Sequence, residues 1–321
     1  MNTPTVSVWL ITYNHAAYIQ QAIEGVLRQQ TSFAVELVIG EDCSTDGTRE
    51  LVQAYGAKYP DKIRLFLPPR NLGMVQILEP TFRLCTGRYV AMLDGDDYWT
   101  DPLKLQKQVE MLEADPTRMF VFHQVRVADE LRGRSYASPV PVPPRQGRAY
   151  SLLDFLQPSH AVVTLSVLFR NRFAGTLPAW YYQLSYPDLA LLILLLLDGG
   201  TASYQPDTMG VYRIHAGGAF SSLPPAVSCE QRVQFFSDLK RHVPARHHAQ
   251  IDGVIGFHYY ELLVLALKSG NLTAAARCFR RIVAFDTALL QQKGGLWRHV
   301  AAAGIKGGSY FYKKLHPTPA P

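Results

Sequence analysis

The feature that most constrains this chain is an alternation. Over its first 115 residues, short apolar runs are separated by segments with helical spacing. Residues 6–11, 35–39, 63–67 and 89–93 read as strands. Between them, residues 16–29 place Ile19, Ala22, Ile23, Val26 and Leu27 on one helical face, and residues 48–59 do the same with Leu51, Val52 and Tyr55. Residues 73–85 read as a helix interrupted by Pro80. Pro102, after Asp101, opens a further helix to Glu113. Such alternation predicts an α/β fold, a mostly parallel central sheet flanked by helices on both faces. Ligands of these sheets bind at the carboxyl ends of the strands.

The strand ends are polar in a consistent way. Thr12-Tyr13-Asn14-His15 follows the first strand, Glu41-Asp42-Cys43-Ser44-Thr45-Asp46-Gly47 the second, and Asp94-Gly95-Asp96-Asp97 the fourth. Each loop alone is a turn with a helix cap, and Asp46 or Thr45 suits the cap of the next helix. Together they form one acidic, hydroxyl-bearing rim. Three carboxylates gathered at 94–97 repel one another unless a cation or solvent relieves them. Mg²⁺ and Mn²⁺ take such oxygen ligands together with substrate phosphates. Neither a G-x-x-x-x-G-K-[ST] loop nor a G-x-G-x-x-G loop after a strand is present, so a cation would have to neutralise a bound diphosphate.

The rest of the chain is less regular. Residues 119–127, 164–170 and 208–214 read as strands, residues 139–144 as a proline-rich loop, and the wholly apolar 189–197 as a buried helix. From Pro224 onward the pattern is helical; residues 271–279 resemble half of a helical hairpin, and residues 316–321 read as a disordered tail. The expected organisation is residues 1–222 as one domain, with halves 1–115 and 116–222, followed by a helical region 223–321.

Composition narrows the class. The 321 residues carry a net charge of +6, which favours anionic ligands, but no Lys/Arg run of the nucleic-acid type. Arg126, Arg132, Arg134, Arg145 and Arg148 are dispersed and read as solvated. Four widely spaced cysteines with no C-x-x-C spacing argue against a disulfide framework and against structural zinc. The start lacks the pattern of a signal peptide and the longest apolar run is too short to span a bilayer. The expected location is cytoplasmic, with peripheral contact at the inner face of the membrane. Lys306, Lys313 and Lys314 with Tyr310, Phe311 and Tyr312 suit such an interface. The C-terminal helices could equally form a homodimer contact.

Taken in order, residues 6–14, 41–48 and 87–97 resemble the family-2 glycosyltransferases of GT-A fold, and Asn71-Leu72-Gly73 resembles that family's N-x-G segment. Val211-Tyr212-Arg213-Ile214-His215-Ala216-Gly217-Gly218 is similar to its Y-R-x-H segment. The resemblance implies the nucleotide-diphospho-sugar transferase fold and inverting glycosyl transfer in surface-polysaccharide synthesis. It implies Mn²⁺ or Mg²⁺ as cofactor. It also implies a UDP-, GDP- or dTDP-sugar donor and a glycan or lipid-linked acceptor. By the same resemblance Asp42 would bind the base, and Thr12, Tyr13 and Asn14 would line the nucleotide pocket. Asp96 and Asp97 would be the metal motif, Asp97 the direct ligand, with Asp94 facing sugar or ribose. Glu41 stands where the family often has Asp, and keeps the charge. Arg213 and His215 would balance phosphate charge.

An inverting transfer needs one general base. The family's acidic pair falls at Pro187-Asp188, which leaves Asp188 as the base, although a carboxylate there also favours a helix dipole. Asp154 is the alternative. His123 and His160 read as structural. Trp180, Tyr181 and Tyr182 form either an acceptor platform or a packed cluster. Two other functions remain open on the residues: a sugar nucleotidyltransferase, and a nucleotide-sugar-binding scaffold without turnover.

Overall fold

The computed structural model describes residues 4–139, 149–158, 162–173, 175–218 and 223–285. His160, the proline-rich loop at 140–144, Arg145, Arg148, the aromatic-basic segment at 306–314 and the tail lie outside the described residues. Those within Met1–Phe155 and Ser159–Ser222 form one compact unit, and those within Leu156–Pro158 and Leu223–Pro321 a second.

The first unit is built on a nine-stranded sheet. Its strands are β1 (Val6–Thr12), β2 (Val35–Glu41), β3 (Ile63–Phe66), β4 (Tyr89–Asp94), β5 (Tyr98–Trp99), β6 (Arg118–Asp129), β7 (Arg134–Ala137), β8 (Leu168–Arg170) and β9 (Thr201–Ile214). The order is β3-β2-β1-β4-β8-β6-β9-β5, with β7 paired to β6. β3, β2, β1 and β4 are mutually parallel, as the alternation predicts. β6 and β9 are also parallel. Beyond β4 the sheet becomes mixed, because β8 enters antiparallel to both β4 and β6.

The pleat sorts the core. Val6, Val8 and Leu10 of β1, Leu37 and Ile39 of β2, and Tyr89, Ala91 and Leu93 of β4 share one buried cluster. Against it pack Ile19, Ala22, Ile23 and Val26 of α1 (Ile19–Leu27), Val52 of α2 (Thr48–Lys58), and Leu105, Val109 and Leu112 of α4 (Lys104–Glu113). Burying each such side chain contributes about 1.5–3 kcal/mol. On the opposite face the Trp9 ring packs tilted against Phe82 of α3 (Leu78–Phe82), centroids 5.0 Å apart, and donates its Nε1–H to Thr81 Oγ1 at 2.9 Å.

Two expectations are corrected here. The segment 73–85 is helical only over α3, at its end. The strand expected at 164–170 is a single 3₁₀ turn, Thr164–Ser166, before β8. β5 and β7 have no counterpart in the sequence reading, and β9 starts seven residues earlier than expected, at Thr201 instead of Thr208.

A short helix α5 (Leu152–Phe155) and α6 (Pro187–Leu196) complete the helices described in this unit. All of α6 except Asp188 is buried. The second unit contains α7 (Pro225–Leu239), α8 (His248–Lys268) and α9 (Leu272–Phe285). Leu263 and Ala266 of α8 meet Ala275 and Ile282 of α9 in its core. Among the described residues, no helix is long and apolar enough to cross a membrane.

Candidate active site

The parallel register aligns the ends of three strands: Thr12 pairs with Glu41 and Ile11 with Asp94. The Asp42 amide donates to Thr12 O at 3.0 Å and the Gly95 amide to Ile11 O at 2.9 Å. The rim loops are then laced together. Asn14 takes a left-handed conformation (φ 53°), which Asn tolerates, and its Oδ1 accepts the Thr45 amide at 2.9 Å. The Asn14 amide donates to Ser44 Oγ at 2.8 Å. Asp46 accepts the amides of Ala16 and Thr48, at 2.9 and 3.0 Å, and so caps α2 from one position before Gly47. Hydrogen bonding to the charged form holds its carboxyl below the usual range despite burial.

Glu41 and Asp42 sit behind this rim, 0% and 3% exposed. Glu41 pairs with the Arg49 guanidinium at 2.5 Å and accepts the Ser44 amide at 2.6 Å. Asp42 accepts the amides of Leu72 and Gly73 at 2.7 and 2.9 Å, while Asn71 Nδ2 donates to Asp42 O at 2.9 Å. Both acids therefore act first on the loops: Glu41 shapes 42–49, and Asp42 anchors the Asn71-Leu72-Gly73 segment. Tyr13 is exposed on the rim, whereas Thr12 is buried, with Oγ1 3.2 Å from His15 Nδ1.

The acidic loop requires Gly95. A Cβ there would lie 2.3 Å from Thr12 Oγ1 and 2.6 Å from Thr12 Cβ. After the turn, β5 pairs Tyr98 with Val211 and Trp99 with Gly210, which brings the end of β9 to the same edge. Asp96 Oδ2 lies 3.0 Å from His215 Nε2 and 3.7 Å from His15 Nε2. These three residues have ligand atoms within 4.8 Å of one another. Burial lowers the His15 pKa, against the opposing pull of Asp96, and favours the neutral imidazole that a cation needs. The Thr12 contact at Nδ1 orients the ring so that Nε2 faces Asp96.

Asp97 is the residue that the resemblance implies as direct metal ligand. It is 1% exposed, and its Oδ1 accepts the Arg213 amide at 2.9 Å. Its Oδ2 is buried without a partner. Burial, then the charges of Asp96 and Asp94, push its pKa well up. Arg213 is also committed: its guanidinium bonds Asp96 O and Gln21 Oε1, and lies over Tyr98 at 4.4 Å and Tyr18 at 5.0 Å. Arg213 therefore braces the acidic loop against β9 and α1.

Asp94 is half-buried, and burial, Asp96 and Asp188 together push it up to about 8. Asp188, in the first turn of α6, thus faces the acidic cluster. The Tyr212 phenol is raised by burial and by the charges of Asp97, Asp96, Asp94 and Asp188, so it lies within electrostatic reach of all four carboxylates. Tyr181 is 1% exposed and belongs to the core, which removes it from any acceptor platform; Trp180 and Tyr182 are half-buried. Asp154 accepts the Ser151 amide at 2.8 Å at the start of α5, a helix-start role.

His15, Tyr18, Gln21 and Tyr212 were not assigned from sequence. His15 was the most legible of them, standing directly after Asn14 on the first strand-end loop. The donor set fits a divalent cation: one carboxylate and two imidazoles converge, beside a buried carboxylate oxygen with no donor.

Comparison with known proteins identifies the family and the fold. Residues 7–174 match the glycosyl transferase family 2 profile. A protein of Mycobacterium tuberculosis is 33% identical over 267 residues, covering 81% of this chain and 71% of that one. The succinoglycan biosynthesis protein ExoO of Rhizobium meliloti is 29% identical over 226 residues, covering 67% of this chain and 62% of its own. The fold is similar to that of the mannosyltransferase PcManGT from Pyrobaculum calidifontis in complex with GDP-Man and Mn²⁺. The TM-score is 0.56 at 20% identity, over 95% of this chain and 87% of that one. With its parallel strand ends gathering an acidic loop into one rim, and with this match over half its length, the chain belongs to glycosyl transferase family 2 and is a glycosyltransferase of GT-A fold.

Proposed function

We propose that this chain transfers a glycosyl group, with inversion, from a nucleotide-diphosphate sugar to an acceptor hydroxyl of a glycan or lipid-linked glycan. The observation that carries the reading is the convergence of His15, Asp96 and His215 at the strand ends, with Asp94 and Asp188 alongside. Asp96, His15 and His215 would hold Mn²⁺ or Mg²⁺, as the Mn²⁺ complex of the structural neighbour supports. When bound, the cation supplies charge neutralisation to the departing diphosphate. Asp97 is a positioning residue that keeps the Arg213 amide, and thus the end of β9 carrying His215, against the acidic loop.

The donor's nucleotide would lie along Tyr13, Asn14 and the 71–73 segment fixed by Asp42. Asp94 would face the sugar or ribose. Asp188 takes the acceptor proton while the acceptor oxygen bonds to the anomeric carbon and the carbon–diphosphate bond breaks. The buried body of α6 holds that carboxylate in place. The ExoO name supports surface-polysaccharide synthesis as the setting.

Purified protein should bind or slowly hydrolyse at least one of a panel of UDP-, GDP- and dTDP-sugars in the presence of Mn²⁺ or Mg²⁺. Absence of both binding and hydrolysis across the panel would sink the reading.

A further inference from the structure

In the second unit, α7 and α8 bring three side chains to a single atom. Cys229 Sγ lies 3.5 Å from Glu261 Oε2. His258 Nδ1 lies 2.9 Å from the same oxygen. His258 and Glu261 stand three positions apart, on one face of α8. Cys229 and His258 are buried, 8% and 2% exposed, whereas the Glu261 side chain is 41% exposed at the mouth of the cluster. The ligand atoms all lie within 4.8 Å of one another.

We propose that Cys229, His258 and Glu261 form a Zn²⁺ site that clamps α7 to α8, with solvent at the fourth position. Tetrahedral zinc has bonds of about 2.3 Å to sulfur and about 2.0–2.2 Å to nitrogen and oxygen, which places S···O about 3.6 Å and N···O about 3.3 Å apart. The Cys229–Glu261 separation is already at that spacing, and the imidazole has to retreat by only about 0.4 Å. The thiolate is what selects a borderline cation here over the hard Mg²⁺ or Mn²⁺.

The proton balance is simple. Binding sends the Cys229 proton to solvent and moves the His258 proton from Nδ1 to Nε2. Nε2 already lacks a partner, so the number of unpaired buried atoms is unchanged. Burial and Glu261 push the free thiol up to about 12, so the cation must displace its proton. Arg232 lowers both Cys229 and His258 and assists that loss. The cluster shares no residue with the transferase site, which has no sulfur among its convergent ligands.

The test uses the full chain, stripped with chelator and titrated with Co²⁺ as a spectroscopic probe. One equivalent should give a thiolate-to-cobalt charge-transfer band in the near ultraviolet that Zn²⁺ abolishes. Cys229→Ser should remove the band, and His258→Gln or Glu261→Gln should weaken cobalt affinity at least about tenfold. Asp96→Asn and Cys43→Ser should keep it. X-ray absorption on the zinc-loaded wild type should show one sulfur neighbour, a readout that needs no variant to fold. A zinc shell of nitrogen and oxygen alone, or a cobalt–thiolate band that survives Cys229→Ser, overturns the assignment.

Discussion

His215 Nε2 lies 3.0 Å from Asp96 Oδ2, although 119 positions separate the two residues in the chain. The contact exists because the short strand β5 pairs with β9 and carries the acidic loop to the end of that strand. It joins the strand-end rim of the parallel strands to the second half of the unit.

Asp96→Asn should therefore abolish the thermal stabilisation that Mn²⁺ plus a nucleoside diphosphate gives the wild type, and lower turnover at least about a hundredfold. His15→Gln should cost less, about ten- to a hundredfold in metal affinity. Differential scanning fluorimetry with and without Mn²⁺ reads both. If Asp97→Asn removes metal affinity while Asp96→Asn keeps it, the ligand assignment is reversed.

Asp188→Asn should retain donor binding and lose about 10²- to 10⁴-fold in kcat. Isothermal titration with the donor, alongside a transfer assay, separates the two effects. Unchanged transfer by this variant would remove Asp188 as the base.

Gly95→Ala should destabilise the first unit by about 1–3 kcal/mol and impair metal-dependent binding, because the new methyl meets Thr12 at 2.3–2.6 Å. Denaturant midpoints check this. Wild-type stability and activity in Gly95→Ala would show that the turn relaxes without cost.

Lys104 provides a pH-dependent case. It is 0% exposed; its ammonium donates to Gln108 Oε1 at 2.7 Å and lies 4.0 Å above the Trp99 ring. Burial holds its amine well below the usual lysine value. Between that lowered value and about 10.4 the unfolded chain binds a proton that the folded chain gives up, so stability at this site rises with pH. Lys104→Met removes the penalty and leaves Gln108 one partner short, which costs about 1 kcal/mol. The variant should melt above the wild type at pH 7 and lose that advantage as pH approaches about 10. A difference in melting temperature that does not vary with pH would contradict the lowered pKa of the buried lysine.

Much of the fold was legible. β1, β2 and β4 are buried on both faces, so each reads as a mostly apolar run, with Ser7 and Glu36 the internal exceptions, and α1 and α4 keep a clean apolar stripe. β5 was invisible because two residues carry no period, yet it sets the geometry of the site. The 73–85 segment is helical only over α3: Gly73 takes φ 87°, outside the helical region, and residues 74–77 form turns before Leu78. A lone histidine has no local signal, so His15 became a candidate ligand only when the sheet placed it beside Asp96.

The sequence by itself determined that three of four parallel strands end in polar loops and that those loops share an edge. Hydrophobic periodicity and turn chemistry are local properties, and they suffice for that much. Only the tertiary structure decided which polar groups on the edge are open and which are already committed. Glu41 is engaged by Arg49, Asp42 by the 72–73 amides, Asp97 by the Arg213 amide, and Arg213 by Asp96 and Gln21, while Asp96 meets two imidazoles. Hydrogen bonds between residues distant in the chain set those pairings, because a buried polar group takes whichever partner the fold brings within about 3 Å.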